Sequence, residues 1–464
     1  MKTSLQSERQ YRVILGLSAL GLGIRLLPLL HSGMGFSFYL KDSPQYVQLD
    51  NGMVSGCGFA RLINGVCQQA ELLRTPMYPV FLAVLPNIRS ALAVQSFIGS
   101  LICLMLGLIM LHLWSYRAAL VSTAILAFDV PSIVVANQVM TEQLFTLLLL
   151  GAVLPSLFLI LRPARDSRPW RIALSCGLSA AAAVLTRPIG IVLPVIVAIP
   201  FLLNRTFRAR KRLELAAVAM VLPLIAIAGW SVRNYRLGNY FGLSTVSGIT
   251  LYYYRAPGVL AQTQQISFDR AQDELGHQIA VPYEHIFEAR YQSSGLTHQM
   301  KDKAKNLLLA HPRQTIILTI ESTLYNALTP MRSELANWLE IGSRDDGIIA
   351  RGISIGALEG VLEKILTSPL IALLVIIQIV ANGFLWLGVA LAFTHCPNSS
   401  TQYRIWCLYL GFVGLLFLAL AGGVEANARF RVPALPLLSV VAALGYGFRG
   451  PSTEGLGIAQ AGSS

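Results

Sequence analysis

The chain has 464 residues, 54% hydrophobic and only 13% charged, with a mean hydropathy of +0.59. A soluble domain carries about 25% charge, so the composition excludes one and indicates a polytopic helical membrane protein. The net charge of +13 would suit a nucleic-acid binder, but it collects in short loops between apolar runs, which excludes that reading.

In chain order, apolar stretches predict spans near 11–31, 91–114, 117–136, 141–161, 171–186, 188–203, 214–231, 366–393, 404–424 and 430–447. The expected fold is an all-α bundle of roughly 10–11 transmembrane helices with extracytoplasmic juxtamembrane helices. The basic start is read as a retained first helix. Residues 1–12, 162–171 and 204–212 hold twelve basic residues against two acids, Glu8 and Asp166. The positive-inside rule makes their side cytoplasmic, with both ends of the chain there. Residues 32–90 and 232–312 then face the periplasm or exterior. The slight acidic excess of 331–365 favours the same side, and so favours 314–330 lying in the interface. The division expected is 1–254 as a transmembrane module with its first loop at 32–90, 255–365 as an extracytoplasmic region, 366–448 as further membrane helices, and 449–464 as a disordered tail.

The first loop, KDSPQYVQLDNGMVSGCGFARLINGVCQQAELLRTPMYPVFLAVL from Lys41 to Leu85, is long for a compact protein and dense in acids and aromatics, which favours function over disorder. Asp42 reads as a general base for an acceptor hydroxyl; the same spacing, with Pro44 in the first turn, suits a helix N-cap. Tyr46 follows one turn later. A disulfide between Cys57 and Cys67 is chemically permitted in this loop. Arg74 and Tyr78 lead back to the membrane. Glu142 opens a long apolar helix, either as a second acid in the cavity of Asp42 or as a residue favoured by the helix dipole. Arg74, Arg187, Arg233, Arg429 and Arg431 all fall at the external boundary, which positive charge avoids. Guanidinium forks there suit phosphate, and snorkelling is the alternative for each singly. Tyr252, Tyr253 and Tyr254 suit either sugar stacking or an interface anchor. No Cys/His spacing suggests zinc.

These motifs, in this order, resemble the GT-C superfamily of membrane glycosyltransferases, closest to the family-39-like branch of protein O-mannosyltransferases and the lipid A aminoarabinose transferase. Asp42 to Tyr46 resembles the first-loop acid and tyrosine, and Gly56-Cys57-Gly58-Phe59 with Arg74-Thr75-Pro76-Met77-Tyr78-Pro79 resembles the next stretch. Thr141-Glu142-Gln143-Leu144-Phe145, Thr186-Arg187-Pro188, Trp230 to Asn234 and Arg429-Phe430-Arg431-Val432-Pro433 resemble the later motifs. The resemblance implies a transferase taking a sugar from a polyprenyl-phosphate donor to a lipid, glycan or protein acceptor outside the cytoplasm, with inversion. Asp42 would be the base and the arginines would bind the phosphate. Many relatives have Asp-Glu where this chain has Asp42-Ser43, and Pro-Pro where it has Thr75-Pro76. The missing acid puts a divalent-metal cofactor in doubt. A lipid-linked glycan flippase is the competing reading, disfavoured because few ionisable residues fall at span centres.

Overall fold

The computed structural model describes residues 2–30, 38–40, 42–161, 168–288, 291, 293–331, 335, 338–339, 368–423 and 427–447. Nearly all of 331–365, the tail 449–464 and Lys41 lie outside them.

Among the described residues, seven helices are long and apolar enough to cross a membrane, within Glu8–Leu30, Ile88–Leu113 (α4), Glu142–Leu159, Pro169–Thr186 (α8), Ala209–Gly238 (α10), Pro369–His395 (α16) and Tyr403–Leu420. The first belongs to α1 (Lys2–Leu30), the third to α7 (Glu142–Leu161) and the last to α17 (Thr401–Leu420). The stretch expected as one span at 117–136 is a bent pair, α5 (Tyr116–Phe128) and α6 (Val130–Ala136), turning by 52°. Two shorter apolar helices, Pro188–Leu203 (whose α-helical part is α9, Leu193–Leu203) and Leu435–Gly447 (α18), occupy the remaining expected stretches. The fold is thus all-α and polytopic. Helix ends alternate between a loop end, where the first loop lies, and an opposite end, where the described basic loop residues lie.

The bend in the α5–α6 pair has a local cause. Asp129 leaves the helix and caps α6, accepting from the Ser132 amide at 2.9 Å and its hydroxyl at 2.7 Å. That frees carbonyls at the end of α5, and Arg25 of α1, 1% exposed, takes those of Leu126 and Ala127 at 2.8 and 3.2 Å. An arginine inside an apolar run escaped the sequence reading because its partners lie about a hundred residues away. Elsewhere the bundle closes through small residues: a Cβ on Gly445 of α18 would stand 2.1 Å from the Gly388 carbonyl of α16.

At the loop end, α2 (Ser43–Val54) packs on a hairpin of β1 (Ala60–Ile63) and β2 (Val66–Ala70). The strands are antiparallel, with Ile63 opposite Val66. The turn is Asn64-Gly65, both at positive φ (50° and 77°), the pattern whose twist suits a two-residue hairpin. Gly52 lets α2 touch β1, since a Cβ there would lie 1.9 Å from the Ala60 carbonyl. Cys57 and Cys67 form a disulfide across this unit. After α3 (Met77–Ala83) the chain re-enters the bundle.

A second loop-end unit contains α11 (Val246–Thr250), a π-helical turn (Leu251–Arg255), α12 (Ala256–Gln264), α13 (Phe268–Gln278) and α14 (Ser294–Ala310). Helical structure runs unbroken through 254. Tyr252 and Tyr253 are the core of the unit, their hydroxyls donating to the Leu275 carbonyl (2.7 Å) and the Val281 carbonyl. α15 (Pro312–Leu328) is not among the apolar spans. It buries Leu318, Ser322 and Asn326, and exposes a stripe of Ile316, Ile320, Leu324 and Leu328, the division expected of a helix at an interface.

Candidate active site

The site is assembled from five segments that meet at the loop end: the start of α2, the 71–76 segment after β2, the start of α7, the Arg187 turn after α8, and the 3-10 turn Ala428–Arg431. Asp42 occupies the N-cap position of α2, yet its side chain makes no capping hydrogen bond. It accepts from Arg74 Nη2 at 2.7 Å and faces Arg429 Nη2 at 3.6 Å, with 24% of the side chain exposed. The capping alternative is therefore not realised by the carboxylate.

Arg74 is fully committed. Its Nε donates to Gln45 Oε1 at 2.8 Å, Nη1 to the Tyr46 hydroxyl at 3.3 Å and Nη2 to Asp42. Tyr46 packs edge-on to Tyr78 at 5.0 Å, whose hydroxyl donates to Gln95 Oε1 at 2.6 Å. Tyr78 is 0% exposed, so it supports Tyr46 from below and does not line an open site.

Glu142 stands in the first turn of α7 with its side chain 0% exposed, 2.6 Å from Arg187 Nη1. The two approach without hydrogen-bond alignment, and neither Glu142 oxygen has a hydrogen-bond partner among the described residues. Arg187 lies between two rings, about equally far from Phe145 (6.0 Å) and Phe430 (5.9 Å). Arg429 lies over Phe430 at 4.9 Å. Three guanidinium groups therefore face two carboxylates, a net positive site with Arg187 and Arg429 each partly open to solvent.

Burial would raise the Asp42 carboxyl, but Arg74, then Arg429 and Arg187, outweigh it and bring it to about 2. A carboxylate held so low is ionised at every working pH and is a reluctant proton acceptor until a neighbouring cation is drawn away.

Two of the five arginines lie elsewhere. Arg233 donates to the carbonyls of Glu71 and Phe59 (3.3 Å) and to Asn234 Oδ1 (2.8 Å), and so anchors the hairpin. Arg431 is 0% exposed and donates to the carbonyls of Ala327 (2.8 Å) and Thr329 (3.3 Å), 3.4 Å from Asp129. In both, Nη1 and Nη2 are engaged inside the protein. Sequence reasoning missed Gln45, which lay in the quoted motif, and Phe145 and Phe430, whose spacing from Glu142 and Arg429 could have pointed to them.

Among the described residues no group of three or more His, Cys, Asp or Glu is placed to hold a metal. Each site carboxylate faces guanidinium, a donor set that fits an anion and does not fit a divalent cation.

No family model and no curated protein matches this chain. Among solved structures it is similar to the oligosaccharyltransferase of Archaeoglobus fulgidus in the apo form, at 13% identity and a TM-score of 0.48, over 94% of this chain and 50% of that one. The archaeal oligosaccharyltransferase AglB from the same organism, in complex with an inhibitory peptide and a dolichol-phosphate, matches at 13% identity and a TM-score of 0.44, over 93% and 50%. ArnT from Cupriavidus metallidurans in the apo state matches at 16% identity and a TM-score of 0.39, over 94% and 76%. The chain spans about half the length of the two oligosaccharyltransferase chains.

Proposed function

We propose that this protein is a membrane glycosyltransferase that moves a sugar from a polyprenyl-phosphate donor to a lipid, glycan or protein acceptor on the extracytoplasmic side. The observation that carries the reading is the loop-end cluster. A partly exposed acid, Asp42, sits within reach of two arginines, Arg187 is partly open beside the rings of Phe145 and Phe430, and Arg429 is partly open over Phe430. The motif order described above supports it, and the concentration of basic loops at the opposite end supports an outside site by the positive-inside rule.

A lipid donor enters laterally, with its phosphate at the membrane boundary. Arg187 and Arg429 bind that phosphate and neutralise the charge that grows on it as the anomeric C–O bond breaks. In turning to the phosphate, Arg429 frees the Asp42 Oδ2 while Arg74 keeps Oδ1, and Oδ2 accepts the proton of the acceptor hydroxyl as the hydroxyl oxygen attacks the anomeric carbon from the opposite face. The products are the glycosylated acceptor, inverted at that carbon, and polyprenyl phosphate. Glu142 holds Arg187 in place before the donor arrives.

The test is binding of a sugar-free polyprenyl phosphate to detergent-purified protein. Arg429→Gln and Arg187→Gln each weaken it by about tenfold, the scale of one lost charge-assisted contact, and Arg233→Gln by less than about twofold at equal folded protein. Equal affinity in all four proteins removes the phosphate site from this cluster. An undiminished transport of intact donor with no covalent product would favour the flippase.

A further inference from the structure

We infer that Glu71 is the positioning residue for Arg74, fixing the backbone of 73–74 so that the guanidinium meets Asp42, and that its clamp ties this contact to the α11–α14 unit. The inference deepens the transferase reading and rests on it for its effect on turnover; the geometry stands without it.

Glu71 is 2% exposed and follows directly on β2. Its Oε1 accepts from the amides of Leu73 (2.7 Å) and Arg74 (3.2 Å) and from Arg61 Nη2 (3.1 Å), and its Oε2 accepts from Arg61 Nε. The carboxylate thus closes a turn in the three residues before Arg74 and anchors that turn to β1, where Arg61 is 3% exposed. The backbone carbonyl of Glu71 is also taken, by Arg233 of α10.

The clamp reaches further. Arg61 Nη1 donates to the Phe287 carbonyl at 2.8 Å. The Ser244 hydroxyl donates to the Leu73 carbonyl, and the Thr245 amide to the Leu72 carbonyl at 3.0 Å. Residues 71–74 are therefore gripped by the hairpin, by a membrane helix and by the extramembrane unit at once, and Arg74 is the one side chain they send to Asp42. Movement of the 244–287 region on binding an acceptor has a direct mechanical route to the base. Sequence reading passed over Glu71 because its partners lie across a hairpin and, at Phe287, more than two hundred residues on.

A buried carboxylate serving four donors cannot be replaced quietly by its amide. In Glu71→Gln one end of the side chain becomes an NH2 group, which must face either Arg61 Nε or the two backbone amides, donor against donor. The groups facing Asp42 are Arg74 from the 71–76 segment, Arg429 and, farther off, Arg187, with Tyr46 on its own helix one turn away. Loosening Arg74 alone leaves Arg429 in place.

The experiment follows protonation of Asp42 directly, by infrared difference spectroscopy of its carboxyl stretch against Asp42→Asn, in wild type, Glu71→Gln and Glu71→Asp, with thermal unfolding recorded alongside. The Asp42 midpoint rises by about one pH unit in Glu71→Gln and less in Glu71→Asp, which keeps the charge for Arg61 but is one methylene shorter. Transfer by Glu71→Gln falls about tenfold in kcat, the lost orientation of Asp42 outweighing its gain in basicity, with donor KM within about threefold. A lowered unfolding temperature with the Asp42 midpoint unmoved in both variants overturns the inference, because a merely stabilising residue does that. Should Glu71→Gln fail to fold, Glu71→Asp alone decides it by the same midpoint. A wild type that titrates as described but transfers no sugar contradicts the transferase reading and leaves the clamp standing.

Discussion

Arg429 and Arg431 are two residues apart in one 3-10 turn, and each faces an aspartate, yet their surroundings differ in kind. Arg431 and Asp129 are sealed: Arg431 also serves two carbonyls, and Asp129 serves the α6 cap and the amide of Gln378 at 2.9 Å. Arg429 and Asp42 are 3.6 Å apart and partly open, with 19% and 24% of their side chains exposed against 0% and 4% for Arg431 and Asp129. At a membrane boundary, charge sealed from solvent among the protein's own acceptors holds the fold together. Charge that is paired yet open to solvent is available to a ligand. Arg233 and Arg187 each lie over two rings, but Arg233 spends Nη1 and Nη2 on carbonyls and Asn234, whereas the Arg187 Nη1 has no hydrogen-bond partner among the described residues.

The sharpest way to break this contrast is to exchange the fates of the two arginines. Arg431→Ala leaves Asp129 buried without its cation and costs about 3–5 kcal/mol of stability, while polyprenyl-phosphate affinity per folded molecule is unchanged. Calorimetric or denaturant unfolding together with the binding assay checks both. A loss of affinity with no loss of stability would put Arg431 in the site. Next in size, Asp42→Asn lowers kcat by about two orders of magnitude or more with expression and donor affinity retained, read from initial transfer rates.

The pH dependence sharpens the same point. The folded-state carboxyl of Asp42 is depressed to about 2, below the ordinary carboxylate value of about 3.9. Its ion pairs therefore contribute stability that is fully present above pH 4 and is lost as pH falls toward 2. Acid titration of the unfolding midpoint shows this loss in wild type, and Asp42→Asn lacks that component. The smallest effect belongs to the support beneath the site. Tyr78→Phe removes the hydroxyl from Gln95 and costs about 0.5–1.5 kcal/mol, with donor KM unchanged within twofold. A much larger rise in KM would mean that Tyr78 touches substrate.

The architecture was legible because lipid imposes long apolar runs, and the ten expected stretches correspond to the seven spans, the bent pair and the two shorter helices. The break at Asp129 was less visible: Pro131 hinted at it, but Arg25, which satisfies the freed carbonyls, gave no signal in a single apolar run. Within the site, Asp42, Tyr46, Arg74, Glu142, Arg187 and Arg429 could be singled out as residue types at the membrane edge, and the structure brings them together. Arg233 and Arg431 could not be separated from them beforehand. What distinguishes them is a set of backbone carbonyls at Phe59, Glu71, Ala327 and Thr329, and carbonyls carry no residue-type signature. Glu71 was hidden for the same reason, since two of its four donors are amides of its own turn.

The central claim is that the open cluster around Asp42 transfers a sugar. Purified wild type and Asp42→Asn, each incubated with a panel of polyprenyl-phosphate monosaccharides and a lipid extract of the native host, would be compared by mass spectrometry of the products. The account predicts a new glycosylated product, with stoichiometric polyprenyl phosphate, from wild type and at most about a hundredth as much from Asp42→Asn. The same product at the same rate from both proteins would contradict it.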